Sequence, residues 1–232
     1  MNVRIPQSLK NYRLYGSSMS LESLRYIAIE GVIGAGKTSL TARLCQSLSA
    51  TPIYEEFEKN PFLDDFYQDP ERYAFQTQIF FLMSRYKQQL QLQQHDLFQE
   101  CIVSDYIFAK DRIFATLNLN EKEMKLYDGI ARLMEKDIVK PELVIYLQAS
   151  TKHLMTMIQH RGRKMERFIT NEYIQALNEL YNKFFFHFTE TPLLVINTDE
   201  IDFVHNETDY KDILYEINHH SSGTRYYIPQ KT

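Results

Sequence analysis

The chain has 232 residues, of which 44% are hydrophobic and 24% are charged, and this composition is that of one globular domain with a full core. Its net charge of −4 and the absence of a dominant basic stripe argue against a nucleic-acid partner. The longest apolar run, Ile79–Met83, is far too short to span a bilayer, so no membrane partner is expected. Cys45 and Cys101 are predicted to be buried reduced thiols that form no metal site, and the expected location is the cytoplasm.

The N-terminal residues differ in composition from the rest of the chain. They include Arg4, Lys10 and Arg13, several serines, and no acid before Glu22. This pattern predicts a flexible leader over residues 1–24, and the alternative is an organelle transit peptide, although no clear amphipathic helix is present. We expect one domain over residues 25–220 and a C-terminal tail over residues 221–232.

A strand, a glycine-rich loop and a helix follow one another at the start of this domain. Residues 25–30 are predicted to form a buried strand, and residues 38–48 a helix with leucines at four-residue steps. Residues 31–38, here called the phosphate loop, match G-x-x-x-x-G-K-[ST], a pattern that binds phosphate through backbone N–H groups and a helix N-terminus. Lys37 is expected to reach the outer phosphates and the Thr38 hydroxyl to ligate Mg²⁺, which predicts ATP and magnesium as the ligands. The predicted nucleotide contacts here are Gly31, Val32, Ile33, Gly34, Ala35, Gly36, Lys37, Thr38 and Ser39.

Further strands and helices alternate along the chain. Strands are predicted over residues 51–55, 101–105, 143–147 and 193–197. Helices are predicted from Pro70 to about residue 99, from residue 107, from a capping box at Asn120 to about residue 138, from Ser150, and over residues 170–190. The alternation predicts an α/β fold with a five-stranded parallel sheet and helices on both faces, in which ligands bind beyond the carboxyl ends of the strands.

Two acids end predicted strands and should therefore face such a ligand. Glu55 is the candidate to accept a proton from the nucleophile of a phosphoryl transfer, with Glu56 and Glu58 as close rivals. Asp105 is a candidate magnesium ligand, and the alternative role, a helix N-cap, is compatible with it.

The long helix after Pro70 carries polar residues suited to a nucleobase. Gln78 and Arg85 are seven residues apart and lie nearly on one helix face, whereas Gln76 lies opposite Arg85. An amide and a guanidinium together match the hydrogen-bonding edge of a base. The alternative is that both are ordinary solvated helix residues.

A strongly basic segment, residues 161–167, follows the helix that starts at Ser150. Arg161 and Arg163 in a mobile segment are what a triphosphate transition state requires of a lid. The alternative is an exposed basic helix end that interacts favourably with the helix dipole. We call residues 161–167 the lid segment.

Several of these segments together resemble the deoxynucleoside kinase family, over roughly residues 25–203. Residues 67–73, followed by Phe75 and Gln78, resemble the segment that contacts sugar and base in that family. The resemblance implies that Tyr67 bonds the deoxyribose 3′-hydroxyl and that Gln78 holds the base edge. Arg85 matches the base-contacting arginine of the family.

The resemblance also extends to the reacting groups. Glu55 falls where the family has its general base, Arg161 and Arg163 match the lid, and Glu166 matches a lid acid that also bonds the 3′-hydroxyl. The pair Asp202-Phe203 resembles the loop that cradles the adenine of the phosphate donor. The family further implies a P-loop NTPase fold with a helical lid, and a homodimer.

The chain departs from the family pattern after its third predicted strand. The family commonly has Glu-Arg-Ser or Asp-Arg-Ser there, and this chain has Asp105-Tyr106-Ile107, so the acid is kept and the arginine is lost. The candidates to replace that arginine are Arg112 and the lid arginines. Asp111 matches the second acid of the family, and a pair such as Arg85 and Asp111 accompanies purine or cytosine bases rather than thymine.

The expected activity is therefore ATP-dependent 5′-phosphorylation of a deoxynucleoside with a purine or cytosine base. One alternative is a nucleoside monophosphate kinase such as thymidylate kinase, which needs an extra cation for the phosphate of its acceptor. The other is a non-catalytic subunit that retains the fold, although such relatives typically lose the loop lysine or the base.

Overall fold

The structure is a computed structural model, and it describes residues 23–94 and 101–229. Its centre is a parallel sheet of six strands in the order β2-β3-β1-β4-β5-β6. The strands are β1 Tyr26–Gly31, β2 Thr51–Ile53, β3 Ile102–Ser104, β4 Leu143–Gln148, β5 Leu193–Asn197 and β6 Thr224–Tyr227. The helices are α1 Lys37–Leu48, α2 Leu63–Gln68, α3 Pro70–Gln94, α4 Lys110–Asn118, α5 Glu121–Met134, α6 Thr151–Arg161, α7 Asn171–Phe186 and α8 Glu207–Asn218.

The central strands are apolar because helices cover both faces of the sheet. Every residue of β1 is buried, and so are all residues of β4 except Gln148. Their side chains form one core with the inner faces of α1, α6, α7 and α8. Two smaller clusters join α3 to α4 and α5, and α2 to α3. The expected α/β fold with a helix-flanked parallel sheet is thus confirmed.

The expected number of five strands is wrong, because the chain adds β6 beside β5. This strand lies within residues 221–232, which were expected to form a tail. Its four side chains alternate between exposed and half-buried at the sheet edge, so no continuous apolar run signals a strand. Parallel pairing of residues 193–196 with residues 224–227 makes this part of the predicted tail an edge of the domain.

The start of the chain and the end of the long helix are described only in part. The predicted leader, residues 1–24, lies outside the described residues up to residue 22. Leu24 is 1% exposed and belongs to the core, so the packed domain includes it. The long helix is described as far as Gln94, and its predicted continuation to about residue 99 lies outside the described residues.

Three predicted helix starts are confirmed. Pro70 is the first residue of α3. The Asn120 side chain accepts hydrogen bonds from the backbone N–H groups of Lys122 and Glu123, and the Glu123 carboxylate accepts one from the Asn120 N–H. The Ser150 hydroxyl accepts a hydrogen bond from the His153 N–H at the start of α6.

Within the described part of the chain, no helix combines the length and the apolar character that a bilayer crossing requires. Cys45 and Cys101 are both free thiols, the first buried and the second half-buried.

The topology places the phosphate loop at a switch point. β1 lies between β3 and β4, and the chain moves to one side of β1 for β2 and β3 and to the other side for β4, β5 and β6. Crevices for ligands form outside the carboxyl ends of such strands. The residues after β1, β2 and β3 therefore meet at one edge of the sheet.

Candidate active site

The phosphate loop has the backbone geometry of an anion cradle. Gly34 and Gly36 have φ angles of +91° and +90°, which residues with a Cβ rarely adopt. A Cβ at Gly34 would lie 2.7 Å from the Leu154 carbonyl oxygen, and one at Gly36 would lie 2.8 Å from the Phe203 ring. Among the described residues, no side chain caps the start of α1, so its N-terminal N–H groups suit a phosphate ligand.

Lys37 and Thr38 lie at this helix start, beside the acid that follows β3. The Lys37 ammonium donates hydrogen bonds to the carbonyl oxygens of Gly31, at 2.7 Å, and Val32, at 3.1 Å. Burial and the charge of Lys110 lower the pKa of Lys37 to about 8. The Thr38 hydroxyl donates to Asp105 Oδ2 at 2.8 Å, so both predicted magnesium ligands are adjacent.

Asp105 also connects Thr38, at the start of α1, to the candidate base Glu55. Its Oδ1 accepts a hydrogen bond from the Glu55 backbone N–H at 2.7 Å. It does not act as the N-cap of α4, which is Ala109. No group of three or more His, Cys, Asp or Glu side chains suited to a metal ion occurs in the described ranges. A hydroxyl beside a single carboxylate fits magnesium, which commonly takes one or two carboxylates and completes its shell with water and substrate phosphates.

Glu55 is held at both of its carboxylate oxygens. Oε1 accepts hydrogen bonds from the Arg85 guanidinium, with Nε at 2.9 Å, and Oε2 accepts one from the Lys110 ammonium at 2.7 Å. Burial alone would raise the pKa of the Glu55 carboxyl, but Lys110 and Arg85 outweigh it and hold this pKa well below its usual range. Glu55 is therefore an ionised acceptor at neutral pH.

The rival acid Glu56 lies elsewhere. It pairs with Lys59 at the surface, at 2.7 Å, and the side chains are 39% and 67% exposed. Among the three acids at residues 55–58, only Glu55 lines the cavity described below.

Gln78 and Arg85 lie on one face of α3, and that face is buried rather than solvated. They are 2% and 3% exposed, and Gln78 Oε1 has no hydrogen-bond partner among the described residues. Arg85 bridges Glu55 to Asp111, and the Tyr127 hydroxyl donates to Asp111 Oδ2 at 2.7 Å. Gln78 is thus a buried polar side chain of α3 whose acceptor oxygen has no hydrogen-bond partner among the described residues.

The lid segment folds over the same cavity. Residues 164–168, which include the second half of the lid segment, form a short 3₁₀ helix after Gly162, and Gly162 ends α6 with a φ of +66°. Glu166 is buried and accepts hydrogen bonds from Arg161 at 2.5 Å and from Arg163 at 3.5 Å. Burial, with a contribution from Glu166, raises the pKa of Tyr67 well above its usual value, so this phenol stays a neutral donor.

One cavity collects most of the predicted site residues. Those that line it are Ile33, Gly34, Lys37, Thr38, Glu55, Tyr67, Gln78, Arg85, Asp105, Arg161, Arg163 and Glu166. Asp111 lies behind Arg85 and is absent from the lining. The remaining residues of the phosphate loop, together with Ser39, also do not line it.

Asp202 and Phe203 lie outside this cavity, next to the phosphate loop. Phe203 is 4% exposed and its ring packs against Gly36. The Arg43 guanidinium donates to the Phe203 carbonyl oxygen at 2.7 Å and holds this loop against α1. Asp202 is exposed and accepts hydrogen bonds from the Val204 and His205 backbone N–H groups.

Sequence reasoning missed two residues of the site and misjudged a third. Lys110, the buried partner of Glu55, and Tyr127, the partner of Asp111, had no signal beyond a lysine and a tyrosine in predicted helices. Arg112 was a candidate to replace the arginine lost at position 106, and this was wrong. Its side chain is 55% exposed, pairs with Asp128, and does not line the cavity.

Comparisons with known proteins show the family of this chain. A sequence profile of the family described as deoxynucleoside kinase matches residues 27–222. The chain is 36% identical to a deoxyguanosine kinase of Bacillus subtilis, over 83% of this chain and 95% of that protein. It is 31% identical to a deoxyadenosine kinase of Lactobacillus acidophilus, over 84% of this chain and 95% of that protein. A solved structure of deoxyadenosine kinase from M. mycoides with bound dATP superposes with a TM-score of 0.74 at 29% identity, over 83% of this chain and 98% of that one. The chain therefore belongs to the deoxynucleoside kinase family, whose members are phosphotransferases.

Proposed function

We propose that this deoxynucleoside kinase transfers the γ-phosphoryl group of ATP to the 5′-hydroxyl of a deoxynucleoside with a purine or cytosine base. One observation supports this above the others. Glu55 shares one cavity with Lys37 and Gln78. Its backbone N–H donates to Asp105, which accepts from Thr38, and its carboxylate accepts from Arg85 on the helix that carries Gln78. A proton acceptor between a phosphate site and a base site suits transfer to a sugar hydroxyl.

The donor end is supported by the phosphate loop. Its backbone N–H groups and the N-terminus of α1 would hold the triphosphate, and Asp202 with Phe203 would border the adenine. Thr38 and Asp105 would hold Mg²⁺ together with phosphate oxygens, and the bound ion would neutralise part of the phosphate charge.

The acceptor end is supported by Gln78, Arg85 and Asp111. The free acceptor of Gln78 would bond a donor on the base edge, and Asp111 keeps Arg85 aligned beside it. Tyr67 and Glu166 would bond the 3′-hydroxyl, and their close packing would exclude a 2′-hydroxyl. A purine base agrees with the names of the bacterial relatives, a deoxyguanosine kinase and a deoxyadenosine kinase.

In the proposed reaction, Glu55 accepts the proton of the 5′-hydroxyl as that oxygen attacks the γ-phosphorus. The bond from phosphorus to the β,γ-bridging oxygen breaks, and ADP leaves. Lys37, Arg161 and Arg163 stabilise the negative charge that spreads over the transferred group.

A panel of acceptors tests this assignment. We expect phosphorylation of deoxyadenosine, deoxyguanosine or deoxycytidine with ATP, weak activity on thymidine, and a lower kcat/KM for adenosine than for deoxyadenosine. The measurement is ADP release with identification of the product as the 5′-monophosphate. Equal kcat/KM for adenosine and deoxyadenosine would refute the sugar selection, and activity confined to deoxynucleoside monophosphates would favour the nucleoside monophosphate kinase instead.

We also propose a homodimer through one apolar face of α3 and α5. Met83 and Leu90 are one heptad apart on α3 and are 57% and 36% exposed, and Leu126 and Leu133 are one heptad apart on α5 and are 60% and 74% exposed. The two helices pack together through Leu82, Tyr127 and Ala131, and we propose that their exposed apolar residues form one continuous surface.

Light scattering after gel filtration checks this proposal. We expect twice the chain mass for the wild type and a shift toward the monomer for the double variant Leu126→Glu/Leu133→Glu. Phe186→Glu is the matched control, because Phe186 is 75% exposed on α7, away from this face. A monomeric wild type at micromolar concentration would refute the dimer.

A cytoplasmic location is proposed from the two free thiols, which suit a reducing compartment. Cell fractionation tests it, and recovery of the protein in an oxidising compartment would refute it.

A further inference from the structure

The position that lacks the family arginine does not supply a charge to the site. Tyr106 is fully buried, and its hydroxyl donates to Gln88 Oε1 at 2.8 Å. It does not line the cavity. The Tyr106 side chain is therefore buried and bonded to α3, so any cation that pairs with Glu55 must belong to another residue.

Lys110, the first residue of α4, lines the cavity and is almost completely buried, unlike a surface lysine. Its side chain is 4% exposed, and its ammonium lies 2.7 Å from Glu55 Oε2. The same ammonium lies 5.6 Å from the centre of the Phe114 ring, one turn further along α4. A lysine is rarely buried unless it is paired, so burial here depends on Glu55.

The two cations on Glu55 come from different helices and hold different oxygens, Arg85 of α3 at Oε1 and Lys110 of α4 at Oε2. Arg85 divides its guanidinium between Glu55 and Asp111, at the base end. Lys110 donates to the other oxygen of Glu55 from the start of α4, and it lines the cavity together with the phosphate-loop residues Lys37 and Thr38. Among residues 23–94 and 101–229, the carboxylate paired with Lys110 is that of Glu55.

We propose that Lys110 is a positioning residue for the phosphoryl transfer: it holds Glu55 Oε2 on the phosphate side of the cavity, where the carboxylate meets the 5′-hydroxyl. With Arg85 alone, the carboxylate would be fixed at one oxygen and free to turn toward the base end. The assignment rests on the proposed function of Glu55 as proton acceptor. It also makes Lys110, rather than the exposed Arg112, a candidate to replace the lost arginine beside Glu55.

The test uses Lys110→Met, which keeps the length and volume of the side chain and removes the charge. Misplacing a reacting group by about 1 Å can cost about 10²-fold in rate, so we expect kcat to fall by about that factor. The KM for ATP and the dissociation constant of the deoxynucleoside should change little, because Lys110 acts through Glu55. Lys110→Arg keeps a cation at this place and should restore kcat to within roughly tenfold of the wild type. Lys140→Met is the control, because Lys140 is 68% exposed and pairs with Glu190 at the surface.

A double-variant cycle separates positioning from a direct contact with phosphate. If Lys110 acts through Glu55, the double variant Glu55→Gln/Lys110→Met should be no slower than Glu55→Gln alone, within about threefold. The inference would be overturned if the fold-losses in kcat of the two single variants multiplied in the double variant. It would also be overturned if Lys110→Met kept the wild-type kcat, or if Lys110→Arg lost as much kcat as Lys110→Met. Full activity of Glu55→Gln would instead refute the proposed base, whatever Lys110 does. Melting temperatures of all variants distinguish a loss of rate from a loss of fold.

Discussion

Replacing Lys37 with alanine is expected to lower kcat/KM for phosphoryl transfer by at least roughly 10²-fold. Removal of one preorganised charge or donor from a transition-state site commonly costs this much. Lys37 lines the cavity, and its ammonium is held at the end of the phosphate loop by the Gly31 and Val32 carbonyl oxygens. Steady-state kinetics with deoxyadenosine and ATP check the result.

Lys211→Ala is the matched control, because Lys211 is exposed on α8, and its kinetics should equal those of the wild type. The pair of variants also tests the non-catalytic alternative. A non-catalytic subunit would be unaffected by the loss of Lys37. A kinase would lose turnover but retain its circular dichroism spectrum and melting temperature. An unchanged kcat/KM for Lys37→Ala would contradict the role of the phosphate loop.

Replacing Glu55 with glutamine is expected to lower kcat by roughly 10²–10⁴-fold, the range that general acid–base groups contribute. The amide keeps the shape of the side chain and an acceptor oxygen for Arg85 or Lys110, but it cannot take up the 5′-hydroxyl proton. Because Arg85 keeps its bond to Asp111, the variant should fold. Single-turnover measurements isolate the chemical step, and calorimetry shows whether ATP still binds.

Glu56→Gln is the sharpest control for this prediction, because the same substitution is made one residue away. Glu56 pairs with Lys59 at the surface and does not line the cavity, so its rate should stay at the wild-type level. A large loss in Glu56→Gln with little loss in Glu55→Gln would transfer the role of proton acceptor to the neighbouring acid.

Local sequence patterns predicted the elements whose contacts lie close in the chain. The phosphate loop needs only a strand, two glycines with positive φ and a helix start within a dozen residues, and all of these occur as expected. The capping box at Asn120 is likewise complete within four residues. Such patterns are legible because the interacting groups are neighbours in sequence.

The helical spacing of residues on α3 did not predict the surroundings of those residues. Helical spacing placed Gln78 and Arg85 on one face, but it left open whether that face is solvated. The structure buries it, because α4 and α5 bring Asp111 and Tyr127 behind Arg85, and these partners are more than 25 residues away. For β6, an edge strand with alternating exposure had no apolar run to mark it.

The sequence by itself determined the phosphate loop and the parallel α/β architecture and pointed to Glu55 as the candidate base, because each depends on local spacing or on where a strand ends. Only the tertiary structure decided how Glu55 is held. Its two cations come from α3 and α4, and burial of Lys110 was invisible in a sequence where a lysine at a helix start is ordinarily solvated. A charge that folding removes from water needs a partner, and here the partners come from distant segments, so no local pattern records the pairing.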